Sequence, residues 1–442
     1  MSKVYEDYVK NKFKKPAPLK GIRVLEVCTL VFGPAGPGFL AELGAEVIKL
    51  ELPPLGDVMR SLNPFGWFYK EQSPIFMHCN PNKHYMGLDL HKEAGQQVFK
   101  ELAAKADIIE NNLRPGVMER WNVGYQQIKE INPRIIYIGK NGFGQWGKYA
   151  EQNRPSNDGA AQALSGYAWI SSFPNRPPLK QGTWICDLFG ALMGEVAVLA
   201  ALHHRHKTGK GQFIEMSQCE NAMRALGWVW PYQQLTGKCA GPIGNRDHCI
   251  SPADTFLCKD DQFVAIAAPA RDEFTALCEA MGKPELAEDS RFKDHTIRLK
   301  EQNTLAILKI IANWAITKKA DEIERLGRKH GFAASRVHSG KDMYENQHRR
   351  ERDFVKFIDD PLYGKYIEHE FPVMMSKTPP KIKWTVKPLG FDNEYVAMKI
   401  LGKSQSQIDE LYDVGALGKW KDMQGRRPPE DWDGKWGAII RR

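Results

Sequence analysis

Apolar and polar positions alternate between two periods along the first 140 residues. GIRVLEVC (21–28) is a short β-rich run that ends in a breaker-rich turn, VFGPAGPG (31–38). FLAELGAE (39–46) has helical spacing closed by Gly44, and VIKLE (47–51) is a second apolar strand. Together they predict a β–α–β unit with parallel strands and a right-handed crossover. The pattern then repeats. HYMGLDL is strand-like, HKEAGQQVFKELAAKA (91–106) is an amphipathic helix, and DIIEN is a strand. VMERWNVGYQQIKEI is a helix stopped by Asn132-Pro133 before the strand RIIYIG (134–139). Strands alternating with helices in this way predict a doubly wound α/β sheet. Ligands bind such sheets at the carboxyl ends of the strands, and the VFGPAGPG turn falls at such an end. Gly-x-Gly-x-x-Gly is absent, so a dinucleotide fingerprint is not supported.

Residues 187–206, ending in LAALHHRH, are small or apolar nearly all round, which predicts a helix deeply buried in a core or at a large subunit interface. TGKGQ (208–212) is a tight turn that lacks the upstream spacing of a phosphate loop, and FIEMS returns as a strand. Residues 222–250, rich in Gly, Trp, Pro and Tyr, have the character of a crossing segment. DTFLCKDDQFVAIAA (254–268) predicts a β-hairpin turning at Asp260-Asp261, and helical stretches over 271–329 complete a small α+β unit. The tail is charged and punctuated by prolines, with an amphipathic QIDELYDVGAL at 407–417. The expected organisation is a large Rossmann-like domain over 1–225, a linker and small domain over 226–340, and a return to the large domain over 341–442.

Composition narrows the class rather than the function. At 42% hydrophobic and 26% charged, the 442 residues have globular character. No run reaches the roughly 18 apolar residues of a membrane helix, and the charged start MSKVYEDYVKNKFKK has no signal-peptide core. A cytoplasmic enzyme without membrane attachment is the expectation. The eight cysteines, Cys28, Cys79, Cys186, Cys219, Cys239, Cys249, Cys258 and Cys278, form no CxxC pair. The histidines do not interleave with them at zinc-site spacing, so free thiols and no structural metal are expected. The net charge of +9 is scattered without arginine–aromatic arrays, which argues against nucleic acid as a partner.

Several blocks, in order, resemble the class III coenzyme A-transferases, the group that includes formyl-CoA and carnitine CoA-transferases. They are GIRVLEV…GPAGPG…LGAEVIKLELP–GD–R, NPNKHYMGLDL, ADIIENNLRPGVMERWNVGY, INPRIIYIGKNGFGQWG, RPSNDGAAQALSG and ICDLFGALMGEVAVLAALHHRHKTGKGQFIEMSQCEN. The series covers residues 20–225, with weaker similarity beyond. Taken alone, Asp187 ahead of a helix is an ordinary N-cap. The resemblance implies instead that Asp187 is the nucleophile. It would attack the donor thioester to give a mixed anhydride, pass through an aspartyl-CoA thioester, and complete the exchange with the acceptor acid. A carboxylate is a weak nucleophile, so it gains from leaving water and from donors placed where an oxyanion develops.

For coenzyme A, bound as substrate with no tightly held cofactor, the resemblance implies Phe32 in the first turn, then Asn112, Leu113, Arg114 and Arg120. Asn80, Lys83, Lys140 and Asn141 fall near further family contacts. The arginine fork suits phosphate oxygens. Val31 and Leu52 replace a glutamine and an arginine of formyl-CoA transferases, and GPIGNRDHCISP replaces their glycine-rich loop. The expected reaction is therefore CoA transfer from a donor such as succinyl-CoA to a medium-sized, aromatic acid, for example benzylsuccinate or an aryl-lactate. The Trp and Tyr residues of GWVWPYQQL (227–235) suit such an acid. α-Methylacyl-CoA racemases share the fold, but Asn157 stands where their two-base chemistry has a histidine, and an amide does not shuttle protons at neutral pH. A non-catalytic subunit of a heteromeric transferase is the third reading. The resemblance also implies an interlocked, ring-like homodimer, with a hetero-oligomer of related subunits as the alternative.

Overall fold

The computed structural model describes residues 11–434, so most of the charged lead-in and the last eight residues lie outside the described residues. The chain divides into two compact units. One comprises the described residues up to 167 together with 181–227 and those from 348 on; the other comprises 168–180 and 228–347. Residues 168–180, which the sequence assigned to the large domain, thus cluster with the small one.

The first unit is built on β1 (Arg23–Val27), α1 (Ala35–Glu42), β2 (Glu46–Glu51), β3 (His84–Gly87), α2 (Glu93–Ala103) and β4 (Ile108–Asn111). It continues through α3 (Tyr125–Ile131), β5 (Ile136–Asn141), α4 (Asp158–Leu164), α5 (Ile185–Thr208), β6 (Gln212–Ser217) and α6 (Gln218–Ala225). All six strands are parallel, in the order β3-β2-β1-β4-β5-β6. Neighbouring residues along a strand face opposite layers, and both layers are covered. Leu25, Ile48 and Ile109 pack under α2 and α3, whereas Val24, Val47 and Ile108 pack under α1 and α5. Each such side chain contributes about 1.5–3 kcal/mol through burial. Double coverage explains why apolar residues face both layers, with the charged Glu26, Lys49, Glu110 and Lys140 buried toward the carboxyl ends of their strands.

Three expectations change here. The helix predicted over 117–131 is two short helices, Val117–Arg120 and Tyr125–Ile131, because Asn122 takes a left-handed φ of 57° between them. The helix predicted from residue 39 already begins at Ala35, inside the glycine–proline turn. Glycine is required there for close approach: a Cβ at Gly36 would lie 2.1 Å from Glu195 Oε1. A third concerns α5, which is long and apolar enough to cross a membrane by length and composition, contrary to the expectation from the sequence. Its packing against β5, β6 and α1, with Asp187, Glu195 and Arg205 buried along it, sets one face in the core of the first unit, while Leu192, Val196 and Leu199 stay exposed on the other.

The second unit contains α7 (Val229–Thr236), β7 (Ala253–Leu257), β8 (Phe263–Ala267), α8 (Arg271–Ala280), α9 (Glu301–Ala315), α10 (Ala320–His330) and β9 (Ala333–Arg336). The three strands are antiparallel in the order β7-β8-β9. Asp261 turns the β7–β8 hairpin with a φ of 55°. Phe256, Ile266, Phe274, Leu277, Ile311 and Phe332 form its separate core.

The returning tail adds the hairpin β10 (Val355–Asp360) and β11 (Gly364–His369) and a helix, α11 (Gln405–Asp413), to the first unit. The hairpin was masked in the sequence by its many charges. The tail also seals the sheet. β3 is an edge strand whose free N–H groups need partners. Asp392 Oδ2 accepts the Tyr85 N–H at 2.8 Å and Asn393 Oδ1 accepts the Gly87 N–H at 2.9 Å.

Candidate active site

The order of the sheet reverses between β1 and β4, so a crevice opens where their carboxyl ends diverge. Asn112, just beyond β4, closes the bottom of that crevice. Its Oδ1 accepts the Thr29 N–H at 2.9 Å and its Nδ2 donates to the Thr29 carbonyl at 2.8 Å. Asp57 fixes the same turn, accepting from the Thr29 hydroxyl at 2.6 Å and from the Leu30 N–H at 2.9 Å. These bonds hold Leu30 in a left-handed conformation, φ 69°, a strain that the surroundings must enforce. Burial would raise the Asp57 pKa, but Lys49 at 2.9 Å and its hydrogen bonds hold it below the ordinary carboxylate value. Asp57 is therefore a fixed anion under the turn.

Two buried ion clusters support this edge of the sheet. Lys49 and Lys83 both pair with Glu26, at 2.8 and 2.6 Å, and Lys83 also donates to the Pro34 carbonyl at 2.7 Å and to Asn80 Oδ1 at 2.8 Å. Lys140 pairs with Glu110 at 2.5 Å and with Glu195 of α5 at 3.0 Å. Burial, reinforced by Glu195 and opposed by Lys140, pushes the Glu110 carboxyl up to about 8. Lys83, Lys140 and Asn80 are fully buried, so they shape the turn and the helix from inside the unit rather than from a solvent-facing wall.

Asp187 lies in the first turn of α5 but is not its N-cap, a place held by Trp184. The helix's leading N–H groups go elsewhere: Asp158 Oδ1 accepts from Cys186 at 2.9 Å and from Asp187 at 3.3 Å. Gln162 Nε2 holds the other Asp158 oxygen at 2.6 Å. Asp158 thus takes the positive end of the helix dipole. Asp187 is 8% exposed, and Gln218 Nε2 donates closely to its Oδ1. Ser156 Oγ in turn donates to Gln218 Oε1 at 3.3 Å. Asn157 is the N-cap of α4, accepting the Ala160 N–H at 2.9 Å.

The remaining expected residues occupy distinct places. Phe32 is buried and links the turn to the Asp187 helix: a Cβ on Gly190, one turn beyond Asp187, would stand 2.6 Å from its ring. Asn141 ends β5 opposite Ser217, the neighbour of Gln218, and both its amide atoms are out of solvent without a partner among the described residues. Leu113 joins Cys28, Leu50, Leu88, His91 and Trp121 in a largely apolar cleft of about 350 Å³ over the ends of β1 and β2. Arg114 and Arg120 are exposed on the short stretch after β4. Reading the sequence missed Gln218, Asp158 as a cap, and the carboxylates under the turn. Gln218 stood inside the EMSQCEN block, and the S-x-x-E pattern of Ser217 and Glu220 marked the helix start that aims it.

A family model described as CoA-transferase family III matches residues 19–393, and the chain belongs to that family. It is a CoA-transferase. Its relatives include the succinyl-CoA–D-citramalate CoA-transferase of Chloroflexus aurantiacus, 32% identical over 398 residues, covering 90% of this chain and 98% of that protein. The beta subunit of succinyl-CoA–L-malate CoA-transferase of the same organism is 31% identical over 398 residues, covering 89% of this chain and 96% of that protein. Among solved structures, a CAIB/BAIF family protein from Brucella suis superposes with a TM-score of 0.76 at 27% identity, covering 87% of this chain and all of that one.

Proposed function

We propose that this enzyme moves coenzyme A from succinyl-CoA to a short dicarboxylic acid through covalent intermediates on Asp187. The observation that carries the reading is the Asp187 carboxylate itself, buried in the first turn of α5 with one oxygen held by Gln218 and the helix N–H groups diverted to Asp158. One carboxylate oxygen attacks the thioester carbon, and the C–S bond breaks to release the CoA thiolate and leave a mixed anhydride. The thiolate then attacks the Asp187 carbonyl, succinate departs as a carboxylate, and an aspartyl-CoA thioester remains. The acceptor carboxylate repeats the sequence in reverse and frees Asp187. Asn141 supplies a donor to the oxyanion of the bound thioester, a role its unpartnered amide supports. The apolar cleft takes the nucleoside end of CoA, and Arg114 and Arg120 hold its phosphates.

The citramalate and malate of the two relatives motivate the choice of acceptor. An aromatic acid is the second reading, favoured by Trp228 and Trp230, which are 41% and 54% exposed in the second unit. Initial rates with malate, citramalate, benzylsuccinate and phenyllactate separate the two. Racemisation is disfavoured because the Asn157 side chain is committed to capping α4. A dimer of identical chains is the expected working form, supported by the exposed apolar Leu192, Val196 and Leu199 along α5; the subunit name of the malate relative keeps a heteromer as the competing outcome of a mass measurement in solution.

The mechanism is tested by incubating enzyme with succinyl-CoA, quenching with hydroxylamine and mapping the product by mass spectrometry. A hydroxamate at Asp187 is expected, together with loss of transfer but not of CoA binding in Asp187→Ala. Turnover retained in that variant overturns the reading.

A further inference from the structure

The short helix Pro74–Cys79 and strand β11 bring His78, Glu368 and His369 together at a place the transfer chemistry does not use. His78 Nδ1 lies 3.1 Å from Glu368 Oε1, and His369 Nδ1 lies 3.9 Å from the same oxygen. The ligand atoms of all three residues fall within 4.8 Å of one another, and the two imidazoles meet edge to face with centroids 4.5 Å apart. His78 and Glu368 are 290 positions apart, which is why no spacing rule found them. We propose that these three side chains form a binding site for a divalent transition-metal ion of the Zn²⁺ class.

The donor set is the first argument. Zn²⁺ binds imidazole nitrogen and carboxylate oxygen at about 2.0–2.2 Å in tetrahedral geometry, which sets neighbouring donor atoms about 3.3–3.5 Å apart. The separations of 3.1 and 3.9 Å bracket that edge, so small side-chain rotations complete the site. Two imidazoles and one carboxylate leave a fourth position for water.

The second argument is how the ligands are held. Glu368 is buried, and its Oε1 also accepts the His369 N–H at 3.0 Å, so the carboxylate is fixed before an ion arrives. The Phe354 ring stacks on His369 at 5.5 Å and orients it. The His78 and His369 side chains keep 38% and 49% of their surface, which gives an ion a path in from solvent. His369 follows Glu368 directly in the chain and bonds its Oε1 through the N–H, so it is the arrival of the distant His78 on that carboxylate that completes the donor set.

The ion's role is structural. The helix carrying His78 ends in Asn80, which donates to the Phe76 carbonyl at 2.9 Å and accepts from Lys83, the residue that holds the Pro34 carbonyl of the active-site turn. A metal bridging that helix to β11 fixes the support of the turn without entering the reaction.

The test uses the full chain, stripped with chelator, dialysed, and titrated with ZnCl₂ against a chromophoric competitor. One equivalent is expected to bind to the wild type and to raise its Tm. His78→Ala and His369→Ala should each weaken binding by more than about tenfold and lose the rise in Tm, since even outer-shell changes cost that much. His203→Ala, an exposed histidine on α5, should bind as the wild type does. Both altered ligands are partly exposed, and the near-isosteric Glu368→Gln provides a third removal should either variant fold poorly. Binding that is absent in the wild type, or that survives all three ligand changes, overturns the proposal and assigns any zinc uptake to surface groups such as Cys239 and Cys249.

Discussion

Gln218 donates its side-chain amide to Asp187 Oδ1 from the first position of the helix that follows β6, while its own oxygen is held by Ser156. The carboxylate proposed to react is thereby oriented through one of its oxygens by a neutral amide donor. A hydrogen bond to a charged group contributes about 1.5–3 kcal/mol. Gln218→Ala is expected to lower kcat by about 10- to 100-fold with KM for the acyl-CoA changed little. Gln218→Glu places a second carboxyl beside Asp187 and should shift the pH–rate profile upward as well; a profile unchanged in shape would show that the two groups do not share a field.

Phe32 and Gly190 make the contact between the turn after β1 and α5. Because a Cβ at position 190 would stand 2.6 Å from the ring of a buried phenylalanine, Gly190→Ala must displace one or the other. Overpacking of this kind costs about 1–3 kcal/mol. The expected result is a lower urea midpoint together with a raised KM for CoA thioesters. Phe32→Leu in the same background makes room and should restore part of both losses.

Much of the fold was legible. The strands of the large sheet stood out as apolar runs because both of their faces are covered, and α5 because its small residues admit the turn on one side. Asp260-Asp261 announced the β7–β8 hairpin through turn chemistry alone. What stayed hidden depends on pairing across long stretches of chain. No local signal tells that Asp392 and Asn393 seal the edge of β3, or that Asp158 caps a helix beginning 27 residues later, at Ile185. Lys83 and Lys140 illustrate the same limit. The resemblance set both near coenzyme A contacts, but no local pattern tells that each pairs with buried carboxylates contributed by other strands and by α5. The blocks around Asp187 drew attention to that position, whereas nothing in them singled out Gln218, whose amide holds its carboxylate.

Arg114 and Arg120 are exposed, and among the described residues neither makes an ion pair. An arginine free of a protein carboxylate beside the carboxyl edge of a parallel sheet is available to phosphate. Arg120→Ala is expected to raise KM for acyl-CoA by about tenfold, equal to about 1.4 kcal/mol, with kcat within a factor of about two. The difference between wild type and variant should shrink as salt is raised, because exposed charge pairs are screened over about 8 Å at physiological ionic strength. A loss of kcat without a change in KM would move Arg120 from binding to chemistry.

Glu110 gives a pH signature to the ion cluster behind Asp187. Its carboxyl is pushed up to about 8 by burial and by Glu195, against the pull of Lys140, whereas in the unfolded chain it titrates near 4.5. Between those values the folded state keeps a proton that the unfolded state has released, so stability must fall as pH rises. The contribution is fully present below pH 4.5, declines by about 1.4 kcal/mol per unit at most, and is lost once the pH passes about 8. Glu110→Gln mimics the protonated carboxyl at every pH and removes this dependence. Urea unfolding at pH 5.5 and at pH 8.5 is expected to show the wild type losing at least about 1 kcal/mol more than the variant over that interval. An equal loss in both would show that the retained proton does not sit on Glu110 and overturn the assignment.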